Sequence, residues 1–397
     1  MSFVELRQAF FDGYLERQPE EATTLGRYES AGRLRDHDAG ALSEEMRWYE
    51  KMARELGSAE RGELDDDETI DHAMMSRIVD HHLHVGDALW CAVDWSLYPY
   101  NMLTIQHLHA DTKEERMAMA ERLAAVPRFI EQHEANVQRG IDGGIRPDGA
   151  LCEFFIDHQI PPASAHLRRL ARDAVFGDAA TVAADAYDAH AAWLKETVLP
   201  KASPAHRIGA DEVRWRLRHT LAIEDDVETC IARGRAELER VQGLLLRCAR
   251  TLDDAVRDLG DVRALTARMQ EVTIASDEQV VPTYRAYVER AVAHCREHGI
   301  YDVPHDYEIG IEPLPPGFSA ASAAGNWPAP LLDRTKLGHF MVAPEAKAHR
   351  VAWAADGAVH EGLPGHHLQS FWWQRHFGDH PAPVRFLLVH DQVAIPR

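Results

Sequence analysis

From Met1 to about residue 300, apolar residues recur three and four apart in run after run, a spacing that commits the chain to amphipathic helices. Such helices are stable only when their apolar stripes are buried on one another, so the pattern predicts a mainly α protein. The opening MSFVELRQAFFDGYLERQPEE places Phe3, Leu6, Phe10 and Tyr14 on one side of a helix. KEERMAMAERLAAVPRFIEQHEANVQRGIDGG reads as one helix stopped by a glycine pair, and VETCIARGRAELERVQGLLLRCARTLDDAVRDLG holds its period up to Gly260. The prolines of HQIPPAS and LPKASPAHRIG predict turns, because proline cannot continue a helix interior. With 397 residues the chain exceeds one ordinary core, and two lobes or one large helical assembly is expected.

Near Tyr301 the texture changes. Prolines and glycines crowd together from DYEIGIEPLPPGF to NWPAPLLDRTKLGHFMVAP, and Tyr307–Ile311 and His339–Ala343 suit short strands. Helical signals return with Pro344-Glu345-Ala346-Lys347. The expected division is a helical lobe over 1–300, a Pro/Gly-rich β element over 301–345, and a helical segment over 346–397 that bears a candidate metal site.

That site is the stretch VHEGLPGHHLQ, residues 359–369, with three histidines and a glutamate. Zinc takes imidazole nitrogens readily, and helical zinc sites set two histidines four residues apart with a glutamate between them as general base. His360-Glu361 begins that pattern, but the next histidines come six and seven residues later. On an undisturbed helix neither fits: His366 is turned away, and His367 lies about 10 Å along the axis. Pro364 and its flanking glycines predict a local loop, and two residues looped out return His366 to the second ligand position. His367 stands as the alternative ligand or a substrate donor. The bland reading is three solvated side chains in a chain with 24 histidines; Asp80-His81-His82-Leu83-His84 illustrates it, a histidine cluster on a helix without a matching glutamate.

The His-Glu, Gly-His-His and Gln pattern resembles the signature of a bacterial family, domain of unknown function 885. IDGGIRPDG, IGADEVRWRLRHTLAIEDDVETCIARGRAELERV, YEIGIEPLPPGFSAASAAGNWPAPLLDRTKLGHFMV and HEGLPGHHLQ follow in that family's order, so the resemblance covers nearly the whole chain. It implies a helical, metallopeptidase-like fold with zinc as cofactor, His360 and His366 as ligands and Glu361 as general base. The family's third ligand is a glutamate in a downstream Glu-Gly-Trp-Ala segment. This chain instead reads RFLLVHDQVAIPR, where His390 and Asp391 are the nearest donors, and it is expected to be shortened at its C-terminus. Asn326-Trp327 stand where the family carries a tyrosine.

Charge and composition narrow the partners. A formal net charge of −21 repels phosphate backbones, so nucleic acid is not expected. No run of about 18 apolar residues offers a membrane span. The first 21 residues lack the features of a secretory signal, and the five cysteines are scattered singly, which together predict a cytoplasmic protein with free thiols. The resulting expectation is a zinc-dependent hydrolase acting on a peptide or other amide. The alternatives are a tailoring enzyme on a small amino-acid-like substrate, or a non-catalytic remnant without its third ligand. Oligomeric state is not legible in the sequence.

Overall fold

The computed structural model describes residues 1–59, 62, 64–86, 110–204, 207–270, 272–314 and 324–387. Mainly helical architecture is what it shows, with one small sheet. The helices are α1 (Phe3–Arg17), α2 (Pro19–Leu25), α3 (Ala39–Ser58), α4 (Asp66–Val85), α5 (Lys113–Asp142), α6 (Gly149–Phe154), α7 (Ile160–Leu170), α8 (Gly177–Trp193), α9 (Ala210–His219), α10 (Val227–Leu252), α11 (Leu259–Gln270), α12 (Val280–His298), α13 (Val351–Gly357) and α14 (His366–Phe377).

Their starts follow capping chemistry. Ser2, Asp65 and Thr112 each accept a backbone N–H at the third helical residue, and a glutamate there bonds back, which satisfies donors that a helix start otherwise leaves open. Helix α5 runs the full length its sequence predicts, from Lys113 through Pro127 to the glycines at 143 and 144. The expected turn at HQIPPAS is absent. A π turn over Phe155–Gln159 runs directly into α7, whose first turn holds the prolines, a place where no backbone donor is needed. Nor does the α10 segment reach Gly260 unbroken: the helix stops at Leu252, and α11 starts at Leu259.

Three cores organise the chain. One joins α5, α7 and α8 through Leu123, Val126, Leu167 and Tyr187, with Phe155 and Phe176 from the adjoining turns. A second brings α1, α2, α3 and α4 onto Leu331 and residues 382–387, so the first and last described segments share one interior. The third lies under the His-Glu stretch, where Val280, Tyr284 and Val288 of α12 pack on Ile311, Phe340, Val342, Ala354 and Ala358.

The sheet holds three strands, β1 (Gly310–Pro313), β2 (Ala324–Trp327) and β3 (His339–Val342), in the order β1-β3-β2. β1 runs parallel to β3 with Ile311 opposite Phe340, and β2 runs antiparallel with Asn326 opposite Phe340. The β3 stretch falls where the sequence puts it. The earlier strand begins at Gly310, three residues after Tyr307. Being central, β3 is paired on both sides, and β2 is the edge next to the His-Glu stretch.

Candidate metal centre

Helix α13 does not continue as an α-helix into the motif. Residues Ala358–Gly362 form a π turn that carries His360 and Glu361, and the chain then turns through Leu363, Pro364 and Gly365 before α14 begins at His366. The Leu363–Pro364 peptide is cis. Buried Leu363 anchors the turn among Cys295, Val303 and Leu368. Gly365 is the residue the turn cannot exchange: its N–H donates to the Val359 carbonyl at 3.0 Å, and a Cβ there would lie 1.8 Å from the His360 carbonyl oxygen. The interruption predicted from Gly-Pro-Gly is present, as a π turn plus a tight return.

The return gathers the motif. One donor atom from each of His360, Glu361 and His366 lies within 4.8 Å of the others, the sole group of three such residues among those described. The two imidazole rings meet edge to face with centroids 4.8 Å apart. Glu361 Oε1 is 4.0 Å from His360 Nε2, and Glu361 Oε2 accepts a hydrogen bond from the Asn326 N–H of β2 at 3.0 Å. One carboxylate oxygen is therefore held by the sheet edge while the other faces the histidines.

The donor set suits zinc. Two nitrogens on a tetrahedral zinc sit about 3.4 Å apart, given bonds of about 2.0–2.1 Å. From a spread of at most 4.8 Å the cluster closes by no more than about 1.4 Å, and the His360 side chain, 63% exposed, has room to rotate.

His367 is directed elsewhere. It is buried, its Nδ1 pairs with the Tyr307 hydroxyl at 2.9 Å, and its ring packs on Gly338, where a Cβ would come within 2.6 Å of Nε2. Burial pushes its pKa down to about 4, against a backbone hydrogen bond at Gly338 and with help from nearby His339. The geometry thus gathers His366 with His360 and gives His367 a packing role. His390 and Asp391 lie outside the described residues.

Two contributors carry no sequence signal of their own. Asn326 acts through its backbone N–H, which any residue except proline offers, and Tyr307 is one of ten tyrosines. The Asp80–His84 cluster, by contrast, is engaged in packing: His81 and His82 are buried on α4, and His84 stacks on Trp215 at 3.5 Å and pairs with Glu212 at 2.8 Å.

Among solved structures the chain is similar to a putative lipoprotein from Colwellia psychrerythraea, with a TM-score of 0.74 and 12% identity over 92% of this chain and 71% of that one. It is also similar to a putative lipoprotein of unknown function from Shewanella oneidensis, with a TM-score of 0.66 and 15% identity over 95% and 73%. At such identities the likeness shows a common fold. No curated protein matches the chain. The neighbours' description as lipoproteins, a class set on membranes by attached lipid, overturns the expectation of a cytoplasmic protein. That expectation rests on residues 1–21, whose pattern is that of α1 and reports packing, not compartment. Among the described residues no helix is long and apolar enough to cross a membrane. A family model described as bacterial protein of unknown function, DUF885, aligns with residues 19–391, and the chain belongs to that family.

Proposed function

We propose that the chain is a zinc-dependent hydrolase of peptide or other amide bonds, with His360 and His366 as zinc ligands and Glu361 as general base. The observation that carries this reading is the convergence of those three side chains across the helix interruption. A zinc ion bound there supplies a Lewis acid that polarises a carbonyl and makes water reactive near neutral pH. Glu361 takes a proton from the attacking water on its inward oxygen and passes it to the leaving nitrogen. Its other oxygen stays on the Asn326 N–H, so the carboxylate keeps its orientation through both transfers. His367, held by Tyr307, fixes the first turn of α14 and with it the direction of His366. Catalytic zinc sites usually have three protein ligands, of which the gathered histidines supply two.

Metal analysis of freshly purified, unchelated protein tests the first half. About one zinc per chain is expected, lost in His360→Ala and in His366→Ala but kept in His367→Gln. Protein with no divalent metal would sink the proposal. The second half is tested with a panel of peptides and amino-acid conjugates, which also separates peptide hydrolysis from chemistry on a small substrate. Glu361→Gln is expected to keep the metal and lose at least about a hundredfold in turnover; unchanged turnover would remove Glu361 from the role of base.

A further inference from the structure

Helix α10 is 26 residues long, and Ala249 is its single buried residue. Ile231, Leu238, Val241, Leu244, Leu245 and Leu252 stand between 38 and 67% exposed. Leu246 and Ala249, on the flank beside Leu245, pack on Val256, Leu259, Val262 and Leu265, which holds α11 against that side of α10. The uncovered set runs beside that flank. Ile231, Leu238, Leu245 and Leu252 recur every seventh residue, with Gly234, Val241 and Cys248 three residues after the first three of them. That is the seam of a two-helix coiled coil, sustained over more than three heptads. Cys248 is exposed, and the space above Gly234 is open, so the seam is clear for a partner backbone to approach. Isolated exposed leucines are ordinary, but a contiguous apolar strip along a whole helix marks an interaction surface.

We propose that α10 is a self-association surface, on which a second copy of this chain lays its own α10 in a two-helix coiled coil. A heptad seam fits another helix with the same repeat, and a two-fold pair covers both seams without leaving an apolar edge. The size is adequate: two helices side by side over about 39 Å remove on the order of 1,500 Å² of total surface, within the range of stable interfaces. The polar residues beside the seam favour a protein helix over a lipid surface. Arg235, Glu237 and Gln242 flank it, one charge of each sign, whereas a helix lying on anionic lipid carries a polar face dominated by basic residues.

Sedimentation equilibrium or light scattering on the purified chain, across a range of concentrations, is the test. A monomer–dimer equilibrium is expected. Leu238→Glu combined with Leu245→Glu is expected to weaken the dimer at least about a hundredfold, because each carboxylate would be buried without a partner. The same variant should keep the far-UV circular dichroism of the parent, since both leucines are exposed in the single chain. A parent chain that stays monomeric at its solubility limit would overturn the proposal. So would a dimer that survives the double substitution, or a monomer that floats with anionic phosphatidylserine vesicles and loses that property in the double variant.

Discussion

At Gly365 the backbone passes so close to His360 that a methyl group has no place to go, with the His360 carbonyl oxygen at 1.8 Å and the Val359 oxygen at 2.5 Å from a built Cβ. Its φ of −77° is not left-handed, and the constraint that decides is close approach. Gly365→Ala is therefore expected to displace the return from the π turn. The cost should exceed about 1 kcal/mol, as for alanine at positions whose native geometry excludes it. Zinc uptake should fall with it, because His366 is the next residue. Equilibrium unfolding with metal analysis checks both; a variant with parental stability and metal content would show that the turn tolerates the methyl. This residue also explains why the site was only partly legible. The sequence announces an interruption between His360 and the paired histidines, but two register choices satisfy it equally. What decides between them is the burial of His367 beside Tyr307, sixty residues earlier in the chain, and no local pattern reports such a contact.

Among elements, α5 and α8 enclose an interior that is unusually rich in histidine. His133 and His190 lie with ring centroids 5.6 Å apart, His190 pairs with Glu134 at 2.9 Å, and His37 packs on Phe129 at 4.6 Å. Burial, reinforced by His190, lowers the His133 pKa from its ordinary 6.5 to about 3, and burial with Arg35 and His133 holds His37 well below its usual value. A folded pKa below the unfolded one means that the unfolded chain takes up the proton first. Stability from these neutral rings is complete above about pH 6.5 and is lost as pH falls from there toward 3, by an amount on the order of a few kcal/mol. Denaturant midpoints across that window should fall with pH, and His133→Leu should flatten the dependence; an unchanged slope would place the acid sensitivity elsewhere. The helices themselves were easy to read, since α5 needs only its period, its Thr112 cap and its terminal glycines. The π turns were not, because a single widened turn leaves the apolar spacing on either side almost unaltered. HQIPPAS misleads for a related reason: prolines that break a helix interior are tolerated in its first turn, and the sequence alone does not say where that turn falls.

For the whole molecule, Asp71 connects parts of the chain that are far apart in sequence. Its carboxylate is 1% exposed on α4 and takes Arg7 of α1 at 2.8 Å and Arg385 at 2.9 Å. Around it, α1, α4 and residues 382–387 share one apolar interior. The candidate metal centre has α12 and the sheet below it and Leu363 and Leu368 at its turn, and α14 links it to that interior, where Trp373 and Phe377 pack on Phe386. Removing the carboxylate leaves two guanidinium groups with one fewer partner, and Arg7 has little access to water at 12% exposure. Asp71→Ala should therefore cost on the order of 2–4 kcal/mol, slightly less than the loss of one partner from a fully buried pair, because Arg385 still reaches Asp67 and solvent. His366 opens α14 and the contacts of Trp373 and Phe377 lie at its other end, which sets a sharper expectation. Below its unfolding transition the variant should bind zinc with the parent's stoichiometry, and zinc at about one hundred times its dissociation constant should stabilise both proteins by the same ~2.7 kcal/mol, because ligand linkage depends on the folded site alone. Unfolding curves of parent and variant, each with and without zinc, measure all the terms. Equal shifts would show that the chain's joined ends and its metal centre are energetically independent, whereas a smaller zinc shift in Asp71→Ala would mean that the strain of the loosened ends reaches α14 and the histidine at its start.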